Sequence, residues 1–212
     1  MGSTQKAKRR ELILDAALEL FNEMGSGKAT TNHIAKAMGI SPGNLYYHYK
    51  SKEHIIRELL KRLIEGFDAL VPPPVDDKSF PLFVGETMDA ICHLFYKYRF
   101  IYLELAALLA RDGLFREMYH DIKVRRVRDF RLLFDALADL GVFTRTIAPN
   151  EQETLVFIIW TYAEGIITAL HGSNILVTPE TIQTHFKKII LILKAYLDPA
   201  LWPALARQLD LS

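Results

Sequence analysis

The stretch ATTNHIAKAMGISPGNLYYHYKSKE, residues 29–53, determines how the rest of the sequence is interpreted. It contains two short helical patterns, TNHIAKAM and PGNLYYHY, separated by the tripeptide GIS. Thr31 and Ser41 stand where helix N-caps are expected, and Pro42 suits a first helical turn. Gly39 can end the first helix in a left-handed conformation. Two short helices joined by a tight, glycine-containing turn are typical of a helix-turn-helix motif.

The apolar positions of this stretch give its two predicted helices an inner face. Helical spacing predicts that this face closes a small core through Ile34, Met38, Ile40, Leu45 and Tyr49. A preceding amphipathic helix is expected to supply the third wall of the core. Its predicted inward residues are Ile13, Ala16, Ala17, Leu20, Phe21 and Met24.

The remaining residues of the stretch combine small side chains, hydroxyls, aromatic rings and cations. Small residues permit close approach to a DNA groove, and hydroxyl, imidazole and ammonium groups can donate hydrogen bonds to phosphates. Tyrosine rings can pack against sugars or thymine methyl groups. The sequence therefore predicts a DNA-binding surface that contains Ser41, Pro42, Gly43, Asn44, Tyr46, Tyr47, His48, Lys50 and Lys52.

Almost all of the remaining sequence has a helical pattern. Ser51 can cap a long helix that ends near residue 70, because three prolines within residues 71–79 cannot continue it. Further helices are predicted over residues 80–97, 99–110, 113–140, 151–171 and 180–197, with a short tail at 200–209. The predicted fold class is all-α, with a three-helix helix-turn-helix DNA-binding domain (1–51), a connecting helix (52–70) and a larger C-terminal helical domain (71–212).

Charge is unevenly distributed along the chain. Residues 1–62 contain 11 Lys/Arg and 6 Asp/Glu, a net charge of +5, whereas residues 63–212 contain 15 and 19, a net charge of −4. A basic N-terminal part on a mildly acidic body indicates a polyanion-binding protein, and chance asymmetry on a solvated surface is the alternative. The basic residues nearest the N-terminus are expected to add nonspecific, salt-sensitive affinity for DNA. They are Lys6, Lys8, Arg9 and Arg10.

Composition also bears on the cellular compartment. The single cysteine, Cys92, excludes an intrachain disulfide and favours a reducing compartment, although a cysteine-poor secreted protein would look similar. The N-terminal residues lack the apolar segment of a signal peptide. The most apolar segment, residues 155–170, has 16 residues and contains Glu164, so we expect it not to span a membrane. These features predict a cytoplasmic protein.

Three local patterns partly match catalytic or metal-binding motifs. GSGKATT, residues 25–31, lacks the first glycine and the final hydroxyl residue of a phosphate-binding loop. Glu117 and His120 have the spacing of half a di-iron site, but the sequence contains no second such pair. Cys92 has a neighbouring histidine but no third partner for nucleophilic catalysis. We therefore predict no enzyme activity, no catalytic residues, no metal and no cofactor.

Residues 10–55 strongly resemble the DNA-binding part of TetR-type transcriptional repressors. The shared pattern is a Thr-capped helix with Ile-Ala, a Gly-hydrophobic-Ser turn, a Leu-Tyr-x-His-aromatic run and a following lysine. The resemblance implies that Tyr49, where the family often has Phe, is a core ring. It implies that phosphates are bound by Thr31, Tyr46, His48 and Lys52, and that the residues closest to bases are Ser41, Gly43, Asn44 and Tyr47.

The same resemblance implies a homodimer that binds a double-stranded, palindromic DNA operator. The expected interface helices lie near residues 151–171 and 180–197, and both segments are apolar on more than one face. The resemblance also implies a cavity for a small, largely apolar effector that releases the repressor from DNA. The residues that we expect to line this cavity are Met88, Cys92, Phe95, Tyr102, Glu104, Trp160 and Glu164.

Two alternatives remain open at the level of sequence. One is a helical-bundle enzyme or small-molecule carrier whose basic N-terminal part is incidental. Sequence-preferring binding to duplex DNA would exclude it. The other is a DNA-binding activator or a ligand-insensitive architectural protein. A reporter assay of target-gene expression in cells that lack the protein would distinguish these from a repressor.

Overall fold

The computed structural model describes the backbone of residues 2–70, 76 and 78–211, and the side chains in these ranges from Gln5 onward. The described residues form eleven α-helices and no β-strand, which confirms the predicted all-α fold. In chain order the helices are α1 (Gly2–Lys28), α2 (Thr31–Ala37), α3 (Pro42–His48), α4 (Lys52–Asp68), α5 (Phe80–Lys97), α6 (Arg99–Leu103), α7 (Leu105–Arg111), α8 (Gly113–Asp139), α9 (Pro149–Gly172), α10 (Pro179–Leu193) and α11 (Trp202–Gln208).

Most helix ends lie within a few residues of the predicted ends, because glycine and proline mark them in the sequence. Two predictions need correction. The helix predicted over 99–110 is interrupted at Glu104, whose φ of −111° and ψ of 9° separate α6 from α7. The helix predicted over 180–197 ends at Leu193, and the chain beyond it turns so that the Tyr196 carbonyl accepts a hydrogen bond from the Thr144 N–H (2.9 Å). Residues 71–75 and 77 of the predicted break lie outside the described residues.

The chain forms two compact units. The first, which we call the head unit, contains the residues up to Gly66 together with Tyr98–Met118. The second, the body unit, contains Phe67–Lys97 and the residues from Tyr119 onward. The head unit therefore combines the predicted DNA-binding helices α1–α3 with most of α4 and with α6 and α7.

The core of the head unit contains the inner faces of α2 and α3. Ile34, Leu45 and Tyr49 are fully buried, as predicted, and Met38 and Ile40 are half-buried at the edge of this core. Burial of one face of each short helix is necessary because helices of two turns are not stable alone in water.

Helix α1 provides the third wall. Its buried apolar residues are Ile13, Leu14, Ala17, Leu18 and Phe21. The prediction that Met24 faces inward is wrong, because 39% of this residue is exposed. Met24 lies directly before Gly25, where a φ of 80° kinks the helix, so the buried stripe ends one turn earlier than its period predicts.

The turn between α2 and α3 depends on Gly39. Its φ is 62°, in the left-handed region that residues with a side chain adopt only at a cost. The Gly39 N–H donates to the Lys36 carbonyl (3.1 Å), and the Ile40 N–H donates to the Ala35 carbonyl (3.0 Å). This pair of hydrogen bonds is a Schellman motif, which satisfies the last carbonyls of α2 and turns the chain into α3.

Replacing Gly39 tests this turn. Gly39→Ala should lower the free energy of unfolding by about 1–2 kcal/mol, because alanine would be held in the left-handed region. A Cβ at residue 39 would meet no atom within 4 Å, so the loss would come from the backbone rather than from a clash.

Gly27→Ala is the matched control. Gly27 lies in the last turn of α1 with equally open surroundings and no positive φ, so alanine should leave stability unchanged or raise it by up to ~1 kcal/mol. Chemical denaturation followed by circular dichroism measures both variants. Equal stability of Gly39→Ala and the wild type would contradict the turn conformation.

The body unit is organised around α5. This helix packs against α10 and α11, and α10 packs against α9. The ring of Phe95 meets Phe67 and Phe186 edge to face, with centroids 5.7 and 5.2 Å apart. These contacts bury the apolar faces of α5 and α10, which include Met88, Cys92, Ile182, Phe186 and Ile189.

Helix α9 is longer than the apolar segment recognised in the sequence. It has 24 residues and, by length and composition alone, is long and apolar enough to cross a membrane, so the shortness of the 16-residue segment does not by itself argue against a span. Only 28% of its most apolar 18-residue window is buried. Much of the apolar surface of α9 is therefore exposed in a single chain.

Candidate nucleic-acid interface

The outer face of α3 exposes side chains that can bind DNA. Tyr47 is 70% exposed and Tyr46 is 48% exposed, which is unusual for large aromatic side chains. The predicted outward residues Ser41, Pro42, Gly43, Asn44 and Lys50 are also exposed. Phenol rings, hydroxyls, an amide and an ammonium group therefore lie together on one two-turn helix and the residues that flank it.

The inner face of α3 is fixed at both ends. At the first turn, the Ser41 Oγ accepts a hydrogen bond from the Asn44 N–H (3.2 Å). At the last turn, Arg10 of α1 donates through Nη1 to the His48 carbonyl (2.7 Å), and its guanidinium lies 4.4 Å from the centroid of the Tyr49 ring. The Tyr49 hydroxyl donates to the Arg10 carbonyl (3.2 Å). Burial raises the pKa of Tyr49 to about 12, so this hydroxyl remains a donor at neutral pH.

Thr30, rather than Thr31, caps α2. The Thr30 hydroxyl accepts from the His33 N–H (3.2 Å), and His33 Nδ1 accepts from the Thr30 N–H (3.3 Å). The prediction of Thr31 as the cap is wrong by one residue, because the cap is the threonine with extended backbone. Thr31 instead places its Oγ1 3.1 Å from the Tyr46 hydroxyl. This hydrogen bond joins α2 to the outer face of α3.

His48 lies on the inner face of α3, in contrast to its predicted outward position. It follows Leu45 by three residues and is only 8% exposed, with its ring edge to face with Tyr47 (centroids 5.2 Å apart). Its Nδ1 has no hydrogen-bond partner among the described residues. Burial lowers the pKa of His48 below 6.5, and Lys6 and Arg10 lower it further. The ring is therefore neutral near pH 7, and its contribution to stability is present above pH 6.5 and is lost as the pH falls through the lowered pKa.

Lys52 begins α4 and binds within the protein. Its Nζ donates to the carbonyls of Ser26 (2.5 Å) and Ala29 (3.1 Å) at the end of α1. A lysine that donates to the last carbonyls of a helix stabilises that end. Lys52 thus connects α4 with α1 in this structure. The phosphate contacts expected of Lys52 and of His48 stay predictions.

Two lysine substitutions test whether Lys52 stabilises the fold. Lys52→Gln should lower the free energy of unfolding by about 1 kcal/mol, because two carbonyls lose a charged donor. Lys50→Gln, at an exposed position two residues away, should change stability by less than ~0.5 kcal/mol. Thermal unfolding followed by circular dichroism compares them. Equal stability of the two variants would contradict an internal role for Lys52.

The first turns of α1 place cations beside α3. Lys6, Lys8 and Arg9 are exposed. Lys6 Nζ lies 4.8 Å from the centroid of the Tyr47 ring, within the range of a cation–π interaction. Arg10, which we expected to be a fourth nonspecific contact, is half-buried and pairs with Glu58 of α4 (3.5 Å) in addition to its bonds with α3.

Glu104 binds the end of α1. Its carboxylate accepts hydrogen bonds from the Ser26 N–H (2.7 Å) and from the Ser26 hydroxyl. The oxygen of that hydroxyl in turn accepts a hydrogen bond from Arg111 Nη2 (2.5 Å). Arg57 of α4 pairs with Asp112 at 2.5 Å. These contacts fix α1 and α4 to the segment that carries α6 and α7. Sequence reasoning missed Ser26, Arg111 and Asp112, because partners so far apart in the chain leave no local pattern.

The residues predicted to line an effector cavity fall into two groups. Glu104 and Tyr102 belong to the head unit, and the other five belong to the body unit. Of these five, Met88, Cys92 and Phe95 are buried in α5. Burial raises the pKa of Cys92 to about 12, so its thiol is unreactive near neutral pH.

Trp160 and Glu164 form a separate group on α9. The Glu164 carboxylate accepts hydrogen bonds from the Trp160 indole N–H and from the hydroxyl of Tyr119, which sequence reasoning did not identify. Within the described residues, no group of three or more His, Cys, Asp or Glu side chains could hold a metal ion.

Two family models match the sequence. The model described as bacterial regulatory proteins of the tetR family matches residues 13–59, and the TetR model described as a bacterial transcriptional repressor matches residues 54–202. The chain belongs to the TetR family of transcriptional regulators. Because the members of this family are DNA-binding transcription factors, the alternative of an enzyme is excluded.

Individual relatives agree with this assignment. The HTH-type transcriptional regulator UidR of Escherichia coli K12 is 32% identical over 104 residues, which cover 49% of this chain and 53% of UidR, about half of that relative's length. The crystal structure of a TetR-family transcriptional regulator from Marinobacter aquaeolei VT8 has a TM-score of 0.81 at 27% identity and covers 95% of this chain and 97% of the other. A protein from Saccharomonospora viridis, solved in complex with choline, shares the fold with a TM-score of 0.70 at 18% identity, over 91% and 99% of the two chains.

Proposed function

We propose that this TetR-family regulator is a cytoplasmic, dimeric repressor that binds a palindromic operator through α3 and is released by a small-molecule effector. The observation that carries the proposal is the exposure of Tyr46 and Tyr47 on a helix whose inner face is anchored. We assign residues 1–51 to DNA binding, 52–70 to the connection and 71–212 to effector binding and dimerisation.

The outer face of α3 suits the major groove of duplex DNA. That groove is about 12 Å wide and accepts an α-helix. The small residues Ser41 and Gly43 permit the start of α3 to approach base edges closely. The Asn44 amide can pair with adenine, and the Tyr47 ring can pack against a thymine methyl group. The exposed Lys50 ammonium and the hydrogen-bonded hydroxyls of Thr31 and Tyr46 can donate to the flanking phosphates.

Truncating Tyr47 tests this proposal. Tyr47→Ala should weaken binding to an operator selected from a random duplex pool by at least about tenfold, because a base contact is lost. Binding to random DNA should change by less than about twofold, because the phosphate contacts remain. Fluorescence anisotropy at a fixed salt concentration measures both affinities.

Leu176→Ala is the control for this measurement. Leu176 is a 78% exposed apolar side chain in the body unit, so its loss should leave both DNA affinities unchanged. Unchanged operator affinity of Tyr47→Ala, or an equal loss on selected and random DNA, would contradict the assigned role of α3.

Exposed apolar residues on α9 and α10 support dimerisation through these helices. Phe157 is 62% exposed, and Leu191 and Ile192 are 50% and 47% exposed. Large exposed apolar side chains on neighbouring helices indicate an interaction surface. A second copy of the chain would cover them and would present a second α3, so that two recognition helices enter successive major grooves about 34–36 Å apart.

Introducing a charged residue at position 157 tests the proposed dimer interface. Phe157→Asp should convert the protein to a monomer at micromolar concentration, because an aspartate would be buried unpaired at the interface. Leu132→Asp is the control, since Leu132 is 63% exposed on α8, outside the proposed interface. Sedimentation velocity measures both variants. A monomeric wild type, or a dimeric Phe157→Asp variant, would contradict the interface.

Release by an effector requires that the effector bind the DNA-free conformation more tightly than the DNA-bound one. The related fold solved with choline supports the expectation of a small-molecule ligand. The contacts of Ser26 with Glu104 and of Arg57 with Asp112 provide a path by which a change in α6 and α7 would alter α1 and α4. We propose that effector binding shifts α4 and spreads the two recognition helices beyond the operator spacing.

A further inference from the structure

Glu164 has an unusual set of partners in the body unit. This half-buried carboxylate accepts hydrogen bonds from the Tyr119 hydroxyl and the Trp160 indole N–H. The two aromatic rings are edge to face, with centroids 6.4 Å apart. Both donors are neutral, so they orient the carboxylate without compensating its charge.

Two other half-buried carboxylates of the body unit, Glu151 and Asp129, have cationic partners. Glu151 pairs with Arg145 at 2.7 Å, and Asp129 pairs with Arg126 at 3.2 Å. Glu164 forms no ion pair among the described residues. Removing part of a carboxylate's hydration without supplying a cation is unfavourable, and it is a cost that a ligand of opposite charge can offset.

The hydrogen bonds leave one oxygen of Glu164 available. Tyr119 and Trp160 both donate to Oε1, and no described residue donates to Oε2. Because two bonds fix the carboxylate, little side-chain freedom remains to be lost when a ligand binds Oε2. A cation at Oε2 would also lie close to the two aromatic residues that donate to Oε1.

We propose that Glu164, Trp160 and Tyr119 form a binding site for an organic cation, such as a protonated amine or a quaternary ammonium group. This inference rests on the proposed function, in which such a ligand is the effector. Charge on Glu164 supplies the attraction, and the rings of Trp160 and Tyr119 accommodate the apolar substituents of the cation. The effector would then combine an apolar body with one positive charge.

Two probes of equal shape test the need for positive charge. Phenyltrimethylammonium and tert-butylbenzene differ in having a charged nitrogen or a neutral carbon at the branch point, and neither can donate an N–H or O–H hydrogen bond. The chain has two tryptophans, so Trp202→Phe leaves Trp160 as the sole indole reporter. Titration of its fluorescence should show at least tenfold tighter binding of the ammonium probe. Equal or weaker binding of the ammonium probe would overturn the proposal without depending on any substitution at the site.

Two glutamate substitutions then test whether Glu164 supplies the negative charge that attracts the cation. Glu164→Gln keeps an acceptor for Tyr119 and Trp160 but removes the charge, so affinity for the ammonium probe should fall at least tenfold while affinity for tert-butylbenzene is retained. Glu153→Gln, at an exposed position on the same helix, should bind both probes as the unmodified protein does. Unchanged ammonium binding by Glu164→Gln would overturn the assignment of Glu164.

A DNA-binding assay separates this inference from the proposed function. Phenyltrimethylammonium should weaken operator binding by the unmodified protein and have at least tenfold less effect on Glu164→Gln. Sequence-preferring DNA binding that no concentration of the ammonium probe changes would overturn the cation site as an effector site and leave the repressor proposal intact. Absence of sequence-preferring DNA binding without any probe would instead contradict the repressor proposal.

Discussion

The burial of Leu45 and Tyr49 is the constraint on which the proposed DNA-binding surface depends. A seven-residue helix is not stable in water alone, so α3 requires its packed inner face and the bond from Arg10 to its last turn. Residues three and four positions apart share one side of a helix, so burying this side leaves Tyr46 and Tyr47 on the other. The exposure of two large rings is thus a geometric consequence of the small core beneath them.

The contacts that anchor α3 continue through the head unit. Lys52 binds the end of α1, and the buried Ser26 is bound in turn by Glu104 of the segment that contains α6 and α7. Loss of a hydrogen bond to a buried partner is costly, so these elements are expected to move together rather than independently. These contacts connect the three N-terminal helices with α4 and with the segment of α6 and α7 inside the head unit.

Much of this structure could be predicted from local sequence. Helix ends were predictable because Gly39, Pro42 and the prolines of α9 and α10 restrict the backbone, and the core role of Tyr49 followed from its spacing to Leu45. Thr30 could not be distinguished from Thr31, since the two neighbours offer the same capping hydroxyl. The contacts of Glu104 with Ser26 and of Glu164 with Tyr119 were not predictable, because these partners are distant in sequence and only the folded chain brings them together.

In the proposed complex, two copies of α3 read successive major grooves of one duplex. Hydroxyl-radical footprinting of the protein on an operator selected from random DNA tests it most directly. We expect two protected regions related by twofold symmetry, with centres about one helical turn, 10–10.5 base pairs, apart. A single protected region, or protection without twofold symmetry on the selected DNA, would contradict the account.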